Sequence, residues 1–388
     1  MKKHLLTILA ALLCCGCSPA SPSYEQEPAM QAPKQMQTDA FAIRMFQALV
    51  QEQRGNVVFS PSSVEGVLRL LQQGARGETA RELAALPMGK QHVRTAMQPA
   101  ECNALFINKG EKLLPGINAI HIITSPLQAN PAQAADDINR WCKAGTRGMI
   151  PTIISEQILQ ESQPVALVAA NAIALEEKWL RPFVKDKTVE RHPFLQADKT
   201  RAQVPMMFHT ALYRHAEGAD WQAAAIFYRT DGRKGEPGCF LAIMPKGDAR
   251  RFIAGLTPAK YNSIRQALAQ AQPEKIRLGL PKFELRTPSF RLDNALKSCG
   301  VRHIYSQTAD LSGFTGRNDL RLSTVMQRCY VKTDEQGTKA AAATVAVVQV
   351  RSIAAGPRTL AFHRPFIWAI TDLTSPAAPY FMGLFERP

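Results

Sequence analysis

The hydrophobic periodicity of this chain changes along its length, and the change limits the folds that the chain can adopt. Near the start, Phe41, Met45 and Leu49 fall on one face of a helix predicted from Phe41 to Glu52. Later segments run apolar or alternate as strands do, among them CFLAIMPKG, KIRLGLPKFEL and RPFIWAI. Helices that come first and strands that come later favour an α+β fold over a doubly wound parallel sheet.

The segment NVVFSPSSVEGVLRLLQQGARGETARELAAL gives the clearest start and stop signals. It predicts a short strand, followed by a helix that begins at Pro61 behind a Ser60 cap and ends at Gly74. Thr79, with Glu82 three residues later, predicts the cap of the next helix. The apolar run PVALVAANAIAL further along is long enough for a buried strand.

The first residues of the chain have the pattern of an export signal. Lys2 and Lys3 precede an apolar run from Leu5 to Leu13, which is too short to span a membrane as a helix. The following LLCCGCSPA is similar to the bacterial lipoprotein signal, in which a Cys after a small residue is lipidated and becomes the new N-terminus. Cys17 fits that role, and an ordinary cleaved secretory signal is the alternative.

Three regions follow from this interpretation. Residues 1–17 are the predicted lipoprotein signal up to the lipidated Cys. Residues 18–38 are rich in Pro and Gln and contain few large apolar side chains, so they are predicted to be a tether. Residues 39–388 show no internal repeat and no second linker, and we expect one large domain. The expected location is the cell envelope, with a lipid anchor in the outer membrane if the cell is Gram-negative, or secretion.

The cysteines do not indicate a disulfide framework. Of the eight in the chain, three lie in the signal region, which leaves an odd number at scattered spacings. These are Cys102, Cys142, Cys239, Cys299 and Cys329. A single disulfide bond between two of them, formed in the cell envelope, stays an open alternative.

Charge and motifs exclude several classes of function. The net charge of +15 is spread along the chain, which favours a generally basic surface; the sequence lacks the signatures of nucleic-acid-binding modules, and an anionic glycan partner has no specific support. The chain has no nucleophile elbow, phosphate loop, zinc-protease motif or dinucleotide fingerprint, and its eight histidines are scattered. We therefore expect no enzyme activity, no metal and no cofactor.

Several segments, taken in order, resemble the serpins, the family of serine protease inhibitors. They are NVVFSPSSVEGVLRLLQQGARGET, ANAIALEEKWLRPF, VPMMFH, LAIMPKG, LPKFEL, ADLSGFTG and RPFIWAITDLTSPAAPYFMGLFERP. The resemblance covers about residues 40–388, and its specificity comes from order and spacing rather than from any one piece. It implies the serpin fold, with helices packed on three β-sheets and an exposed reactive-centre loop, in a protein expected to be a monomer.

The resemblance also implies a role for DEQGTKAAAATVAVVQVRS, which starts at Asp334. The inhibitory-type hinge of the family matches Glu335, Gly337, Thr338, Ala340, Ala341, Ala342, Ala343 and Thr344. The scissile residue usually lies sixteen residues after the hinge Glu, which indicates the bond between Arg351 and Ser352. The implied function is suicide inhibition of trypsin-like, Arg-directed serine proteases: the protease forms an acyl-enzyme at Arg351, and the loop 337–351 inserts into the main sheet.

The residues of this segment fit insertion as a strand. Side chains of a strand alternate between its two faces. Every second residue from Thr338 to Val348 is small, so this face could enter a packed interior, whereas the face that begins at Lys339 could meet solvent.

The family's polar switch region maps onto Ser60, Ser63, Asn171, Trp179 and Gln327. The chain departs from the family in three places. Gln327 stands where a His is usual, so the network should lose its response to pH. ALEE precedes Trp179 where an aromatic-Phe-Lys-Gly sequence is usual, and the stretch from Leu86 to Leu105 is short where serpins usually carry another helix, so no glycan-activation site is carried over.

Two alternatives stay open at this point. The chain could be a non-inhibitory serpin, a carrier or a decoy that is simply cleaved, or it could inhibit Arg-specific cysteine proteases. Arg358 is a second candidate for the scissile residue, called here the bait. It lies 23 residues after Glu335, so the loop between the hinge and Arg358 would be longer than the sixteen residues usual in the family.

Overall fold

The computed structural model of the chain describes residues 40–89, 95–162, 166–287, 290–338 and 356–388. The predicted signal, the predicted tether and residues 339–355 lie outside these ranges.

Helices dominate the first part of the described chain. The α-helices are α1 Ala40–Glu52, α2 Pro61–Gly74, α3 Gly77–Ala84, α4 Pro131–Gly145, α5 Glu156–Glu161, α6 Ala249–Ala254, α7 Pro258–Gln270, α8 Asp293–Ser298 and α9 Ser312–Thr315. Short 3₁₀ helices cover Ala119–His121, Lys185–Lys187 and His303–Tyr305. In the ranges described, no helix is both long enough and apolar enough to cross a membrane.

Strands make up most of the second part. They are β1 Val57–Phe59, β2 Ala100–Asn108, β3 Ile122–Ser125, β4 Leu167–Ala174, β5 Glu177–Lys178, β6 Val189–Leu195, β7 Arg201–Glu217, β8 Trp221–Phe227, β9 Gly238–Pro245, β10 Glu274–Pro281, β11 Phe283–Arg286, β12 Phe290–Arg291, β13 Leu322–Thr333, β14 Gly337–Thr338, β15 Thr359–Ala361, β16 Phe366–Asp372 and β17 Phe381–Phe385. The predicted α+β class is confirmed.

One sheet, called here the main sheet, has the strand order β3-β2-β4-β13-β14-β5, and β11 and β12 pair with the other edge of β13. The remaining strands follow the order β1-β17-β16-β9-β8-β7-β10-β15, with β6 on β7. The long β7 pairs with β6 and β10 along its first part and with β8 only from Arg214 to Glu217. Counting the two parts separately gives the three sheets that the resemblance implied.

The main sheet is covered on both faces. Its inner face carries Ile173 of β4 and Val331 of β13, which pack with Phe240 and Trp368 of the second set of strands. At the end of the sheet that holds Leu167 and Leu322, the inner face packs against α1 and α2. The outer face of β2, β4 and β13 packs under α4, whose Ile138 is fully buried there. Strands buried on both faces explain why β4 reads as a continuous apolar run.

The helix starts are confirmed for α1 and α2 and wrong for α3. The Ser60 hydroxyl accepts a hydrogen bond from the Ser63 N–H at the start of α2, as a cap should. However, α3 begins at Gly77, so Thr79 lies inside the helix, where its hydroxyl accepts from the Asp310 N–H at 2.9 Å. A tertiary contact therefore uses the side chain that the local pattern assigned to capping.

Two other local expectations change. The alternating segment KIRLGLPKFEL predicts one strand, but it divides at Lys282 into β10, which pairs with β7, and β11, which pairs with β13. Between α3 and β2 the described residues, 85–89 and 95–99, contain no helix. This agrees with the short spacing seen in the sequence.

His209 on β7 generates a prediction about pH. Its Nδ1 lies 2.8 Å from the Tyr213 hydroxyl, and burial, followed by the charge of Arg181, lowers the pKa of His209 to about 4. An unfolded His takes up its proton near pH 6.5, so stability is present above that pH and falls as the pH decreases towards about 4. We expect the free energy of unfolding to lose up to about 3 kcal/mol over this window through His209.

Urea unfolding at a series of pH values measures this loss. His209→Gln should flatten the dependence on pH, because the amide does not titrate. His121→Gln, at an exposed position, is the control and should leave the slope as it is in the wild type. Equal slopes for wild type and His209→Gln would contradict the assignment.

Candidate functional site

The hinge of the loop begins with a tight turn after β13. The Asp334 side chain accepts hydrogen bonds from the N–H groups of Gln336 at 2.9 Å and Gly337 at 3.3 Å, and the Asp334 N–H donates to the Gly337 carbonyl at 2.9 Å. This Asx-type turn reverses the chain. The residues after it therefore run antiparallel to β13.

The strand β14 places the hinge inside the main sheet. Thr338 pairs with Thr333 of β13 on one side and with Glu177 of β5 on the other. Gly337 is required here, because a Cβ on it would collide with the Glu177 carbonyl and the Lys178 Cα. Thr338 is fully buried, as the pattern of small residues predicts for the inner face.

An aromatic pair lies beneath the inserted hinge. Trp179 stacks on Tyr228, with ring centroids 4.8 Å apart, and both rings are buried. The Tyr228 hydroxyl lies 2.8 Å from the Thr338 hydroxyl, and the Trp179 Nε1–H donates to the Asp334 carbonyl at 2.8 Å. Trp179 thus holds the turn before β14, while its stacking partner holds the first inserted side chain.

Glu335, the hinge Glu of the sequence pattern, anchors the turn from outside the sheet. Its carboxylate lies 3.0 Å from the Lys282 ammonium and accepts from the Thr188 hydroxyl at 2.9 Å. Burial would raise the pKa of Glu335, but Lys282, its own N–H and Thr188 together hold the pKa below its ordinary value. The Glu335 carbonyl also accepts from the Phe183 N–H at 2.7 Å.

The departure ALEE supplies a buried ion pair beside the hinge. Glu177, the last residue of that sequence, accepts from both terminal nitrogens of Arg233, at 2.8 and 2.6 Å, and from the Gln98 N–H at 3.1 Å. Its side chain is only 3% exposed. Because Glu177 also pairs with Thr338 through its backbone, this ion pair fixes the outer wall of the cleft that holds β14.

Below the hinge the main sheet is closed along one seam. There β13 pairs directly with β4 in parallel, from Leu322 opposite Leu167 to Tyr330 opposite Ala174. The inserted β14 and the closed seam lie on the same edge of β13. A loop that continued downward from Thr338 would therefore enter between β4 and β13.

A row of amides crosses the seam. Gln327 and Asn171 are direct neighbours in the register, and the Gln327 Nε2 donates to the Asn171 Oδ1 at 2.6 Å. Gln327 also accepts from the Ser60 N–H at 3.0 Å and donates to the Ser60 carbonyl at 3.2 Å. Since Gln has both a donor and an acceptor, it makes all three contacts without a titrating group.

The network continues to two residues that the sequence did not reveal. Asn171 donates to Asn103, its neighbour on β2, and Asn103 donates to the Glu101 carboxylate at 2.8 Å. The Ser63 hydroxyl donates to the same carboxylate at 2.6 Å. Ser60, Ser63, Asn171 and Gln327 are thus brought together, whereas finding Asn103 and Glu101 required the register of β2 against β4.

The outer face of β13 differs from the expectation of a solvent-exposed face. Met326 and Tyr330 belong to the core cluster under α4, and Arg328 donates through Nη1 to Thr152, which follows α4 in the chain. A strand inserted beside β13 would lie under this layer along much of its length. Near the hinge the covering is thinner, since Lys332 is partly exposed.

The bait and the small residues of the loop lie outside the described residues. These are Arg351, Ser352 and Ala340, Ala341, Ala342, Ala343 and Thr344. The rival bait is described: Arg358 lies 2.7 Å from Glu217, and its carbonyl accepts from the Arg277 N–H at 2.8 Å. The next residue, Thr359, begins β15 on the edge of β10, so cleavage after Arg358 would require this strand to be pulled away.

A family model described as Serpin (serine protease inhibitor) matches residues 36–112 and 121–388, which is most of the chain. The chain belongs to the serpin family. Serpin A9 of Mus musculus is 27% identical to it over 394 residues, covering 95% of this serpin and 91% of the relative. The leukocyte elastase inhibitor of Bos taurus is 27% identical over 377 residues, covering 90% and 97%.

Solved structures show the same fold. Native protease nexin-1 with heparin matches with a TM-score of 0.76 at 22% identity, covering 91% of this serpin and 98% of that chain. The thermophilic serpin Tengpin in its native state matches with a TM-score of 0.75 at 21% identity, covering 91% and 94%. The α+β serpin fold is thereby confirmed.

Membership in the family supports protease inhibition in general. Serpins are protease inhibitors and not enzymes, they generally form covalent complexes with their target proteases, and some members do not inhibit. The site described above consists of the hinge turn, the buried strand β14 and the closed seam between β4 and β13.

The ion pair beside the hinge gives a prediction about stability. Arg233→Ala should lower the free energy of unfolding by about 1–3 kcal/mol, because it leaves the buried Glu177 carboxylate without its partner. Arg229→Ala is the matched control: its pair with Asp231 is 42% and 45% exposed, and its loss should cost less than about 0.5 kcal/mol. Urea unfolding of both variants measures the difference, and equal effects would contradict the role given to Arg233.

Proposed function

We propose that this serpin inhibits trypsin-like, Arg-directed serine proteases by trapping the acyl-enzyme formed at Arg351 and inserting the cleaved loop into the main sheet. The observation that carries the proposal is the register of β14. Thr338 is opposite Thr333 on β13 and opposite Glu177 on β5. Insertion would extend this register down the seam.

The register counted along β13 and the register counted along β4 predict the same inserted residue opposite the amides Gln327 and Asn171. Continued along β13, the register brings Thr344 opposite Gln327; continued from β5 into β4, it brings Thr344 opposite Asn171. Insertion must break the hydrogen bond between these two amides. A Thr at that level offers a hydroxyl that can both donate and accept, so the buried amides regain a partner.

The length of the loop matches the length of the seam. If insertion continued in the same register, residues 338–349 would pair along the whole of β13, from Thr333 to Leu322. Arg351 would therefore reach the far end of the main sheet. The fourteen residues from Thr338 to Arg351 correspond to a travel of roughly 45 Å, at about 3.3 Å per residue.

Insertion also improves the pairing of the strands. The closed seam is parallel, and a strand that runs opposite to both β4 and β13 replaces one parallel pair by two antiparallel pairs. Antiparallel pairing is slightly more stable per residue, and the sheet gains a further row of backbone hydrogen bonds. Cleavage releases the lower end of the loop and allows this change to proceed.

The chemistry belongs to the protease. Its Ser Oγ attacks the Arg351 carbonyl, the bond to the Ser352 nitrogen breaks, and the amine leaves with a proton from the catalytic His. The acyl-enzyme ester then links the protease to Arg351. Insertion competes with attack of water on this ester, so a fast insertion traps the complex.

The position of the bait is tested by replacing each of the two arginines with Ala in turn. Arg351→Ala should slow association with trypsin by at least about 10³-fold, since the acidic specificity pocket loses its partner. Arg358→Ala is the matched control and should inhibit as the wild type does. Mass spectrometry of the released C-terminal peptide should give a new terminus at Ser352; a terminus at Thr359 would move the bait to Arg358.

Insertion is tested most sharply at Ala342. After insertion in the register above it would lie opposite Cys329 and Ile173, which are both fully or almost fully buried, so an Arg there would be buried without a partner. This costs several kcal/mol. Ala342→Arg should therefore be cleaved at Arg351 yet yield clipped protein in place of the covalent complex. Thr338→Arg is a weaker test, because Glu177 lies opposite Thr338 and could pair with the new charge.

Lys339→Glu is the control for this experiment, since it falls at the level of the partly exposed Lys332 and should leave the complex intact. Cleaved wild type should melt well above the native form, and cleaved Ala342→Arg should not. The readouts are a denaturing gel with trypsin and thermal unfolding. Wild type that gives only clipped protein with an unchanged melting temperature would favour the decoy or carrier, and a complex with an Arg-specific cysteine protease alone would change the target class.

We also propose that the mature chain is lipid-anchored through Cys17, with residues 18–38 as the tether. The basis is the sequence pattern, in which Gly16 precedes Cys17 and Ser18 follows it. Cys17→Ser should release the protein from the membrane fraction and shift its mass. A variant that stays membrane-bound at unchanged mass would contradict lipidation at Cys17.

A further inference from the structure

Two cysteines meet where α4 packs on the main sheet. Cys102 lies on β2 with its side chain on the outer face, and Cys142 is buried on α4. Cys142 lies three residues before Gly145 and so on the same face of α4, and it belongs to the core cluster under this helix, against which Cys102 packs. The helix approaches closely at this point because Gly145 has no side chain: a Cβ there would lie 2.6 Å from the Cys102 Cβ and 2.8 Å from its Sγ.

We propose that Cys102 and Cys142 form a disulfide that fixes α4 to β2. The domain's five cysteines are present as thiols in this structure, and Cys102 and Cys142 lie on the two sides of the close contact that α4 makes with β2 at Gly145. A disulfide needs such an approach of the two side chains. The expected export of the chain would supply an oxidising compartment.

The oxidation balances as thiol–disulfide exchange with a small disulfide such as oxidised glutathione. The partly exposed Cys102 attacks as thiolate, forms a mixed disulfide and releases one glutathione thiolate. Cys142 loses its proton, displaces the second glutathione thiolate and closes the Cys102–Cys142 bond. The two cysteines lose two electrons, the reagent gains them, and the two protons go to the released glutathione thiols.

The position of the pair gives the bond a mechanical consequence. Cys102 is in register with Ala172 of β4, which is in register with Arg328 of β13. Along this one row, α4 is held to β2 by the cysteines, and the chain after α4 is held to β13 where Arg328 donates to Thr152. The seam that the proposed function opens lies between these two attachments.

When a strand enters the seam, the two attachments must separate by one strand spacing, about 4.8 Å. With the thiols reduced, either attachment can yield. With the disulfide formed, α4 stays on β2, and the contact between Arg328 and Thr152 must break. This consequence rests on the proposed function, whereas the bond itself does not.

The bond is tested in the full chain by peptide mapping. The neighbouring Cys142 thiol, burial and the nearby Glu101 carboxylate raise the pKa of Cys102, so the exchange is run at about pH 8.5 to increase the thiolate fraction. After oxidised glutathione, alkylation and digestion without reductant, we expect one cross-linked pair of peptides that contains residues 102 and 142. Cys102→Ala and Cys142→Ala should each abolish it, and Cys329→Ala should leave it intact.

Two further measurements separate the bond from its consequence. Oxidised wild type should melt several degrees above the reduced form, and Cys102→Ala should show no such shift. In mixtures with trypsin, oxidation should lower the ratio of covalent complex to clipped serpin by several-fold, and Arg328→Ala should restore it. Alkylation of both Cys102 and Cys142 after oxidation, or a bond between other cysteines, overturns the proposal. If no complex forms in either redox state while the cross-link is present, the proposed inhibition fails and the disulfide stands.

Discussion

The direct parallel pairing of β4 with β13 is the constraint on which the rest of the structure depends. This pairing closes the main sheet below the hinge, although the two-residue strand β14 already separates β13 from β5 at the hinge end. The amide pair Gln327–Asn171 holds the seam from the inside, and α4 covers it from the outside. The main sheet is therefore closed along the seam and carries the two-residue strand β14 at the end of the seam nearest the hinge.

The hinge was the part of the site most accessible from sequence. The resemblance located its residues, and Thr338 is buried as expected. The turn at Asp334 and the close approach of Gly337 to Glu177 are findings of the structure. Alternation of small residues predicted which face enters the sheet. It could not predict what covers the other face, because α4 comes from a distant part of the chain.

Contacts between strands were the part that sequence left out. Asn103 and Glu101 join the seam network only because β2 lies beside β4 in a particular register. The ion pair of Glu177 with Arg233 could not be predicted for the same reason. Thr79 was wrongly predicted as a helix cap because its hydroxyl accepts a hydrogen bond from the Asp310 N–H rather than from its own helix. Each missed residue is polar, largely buried or bonded across long sequence separations, and its partner is fixed by tertiary structure alone.

The two residues of β14 have a kinetic meaning. Formation of a new strand is slow mainly because its first contacts bring distant parts of the chain together before many hydrogen bonds compensate for the lost entropy. Here the turn at Asp334 and the contact of Thr338 with Tyr228 have made those contacts during folding. In the proposed insertion, growth of the strand after cleavage would therefore be an elongation from an existing nucleus, one residue after another. Its rate would depend on how readily the seam parts ahead of it rather than on a search for the entry point.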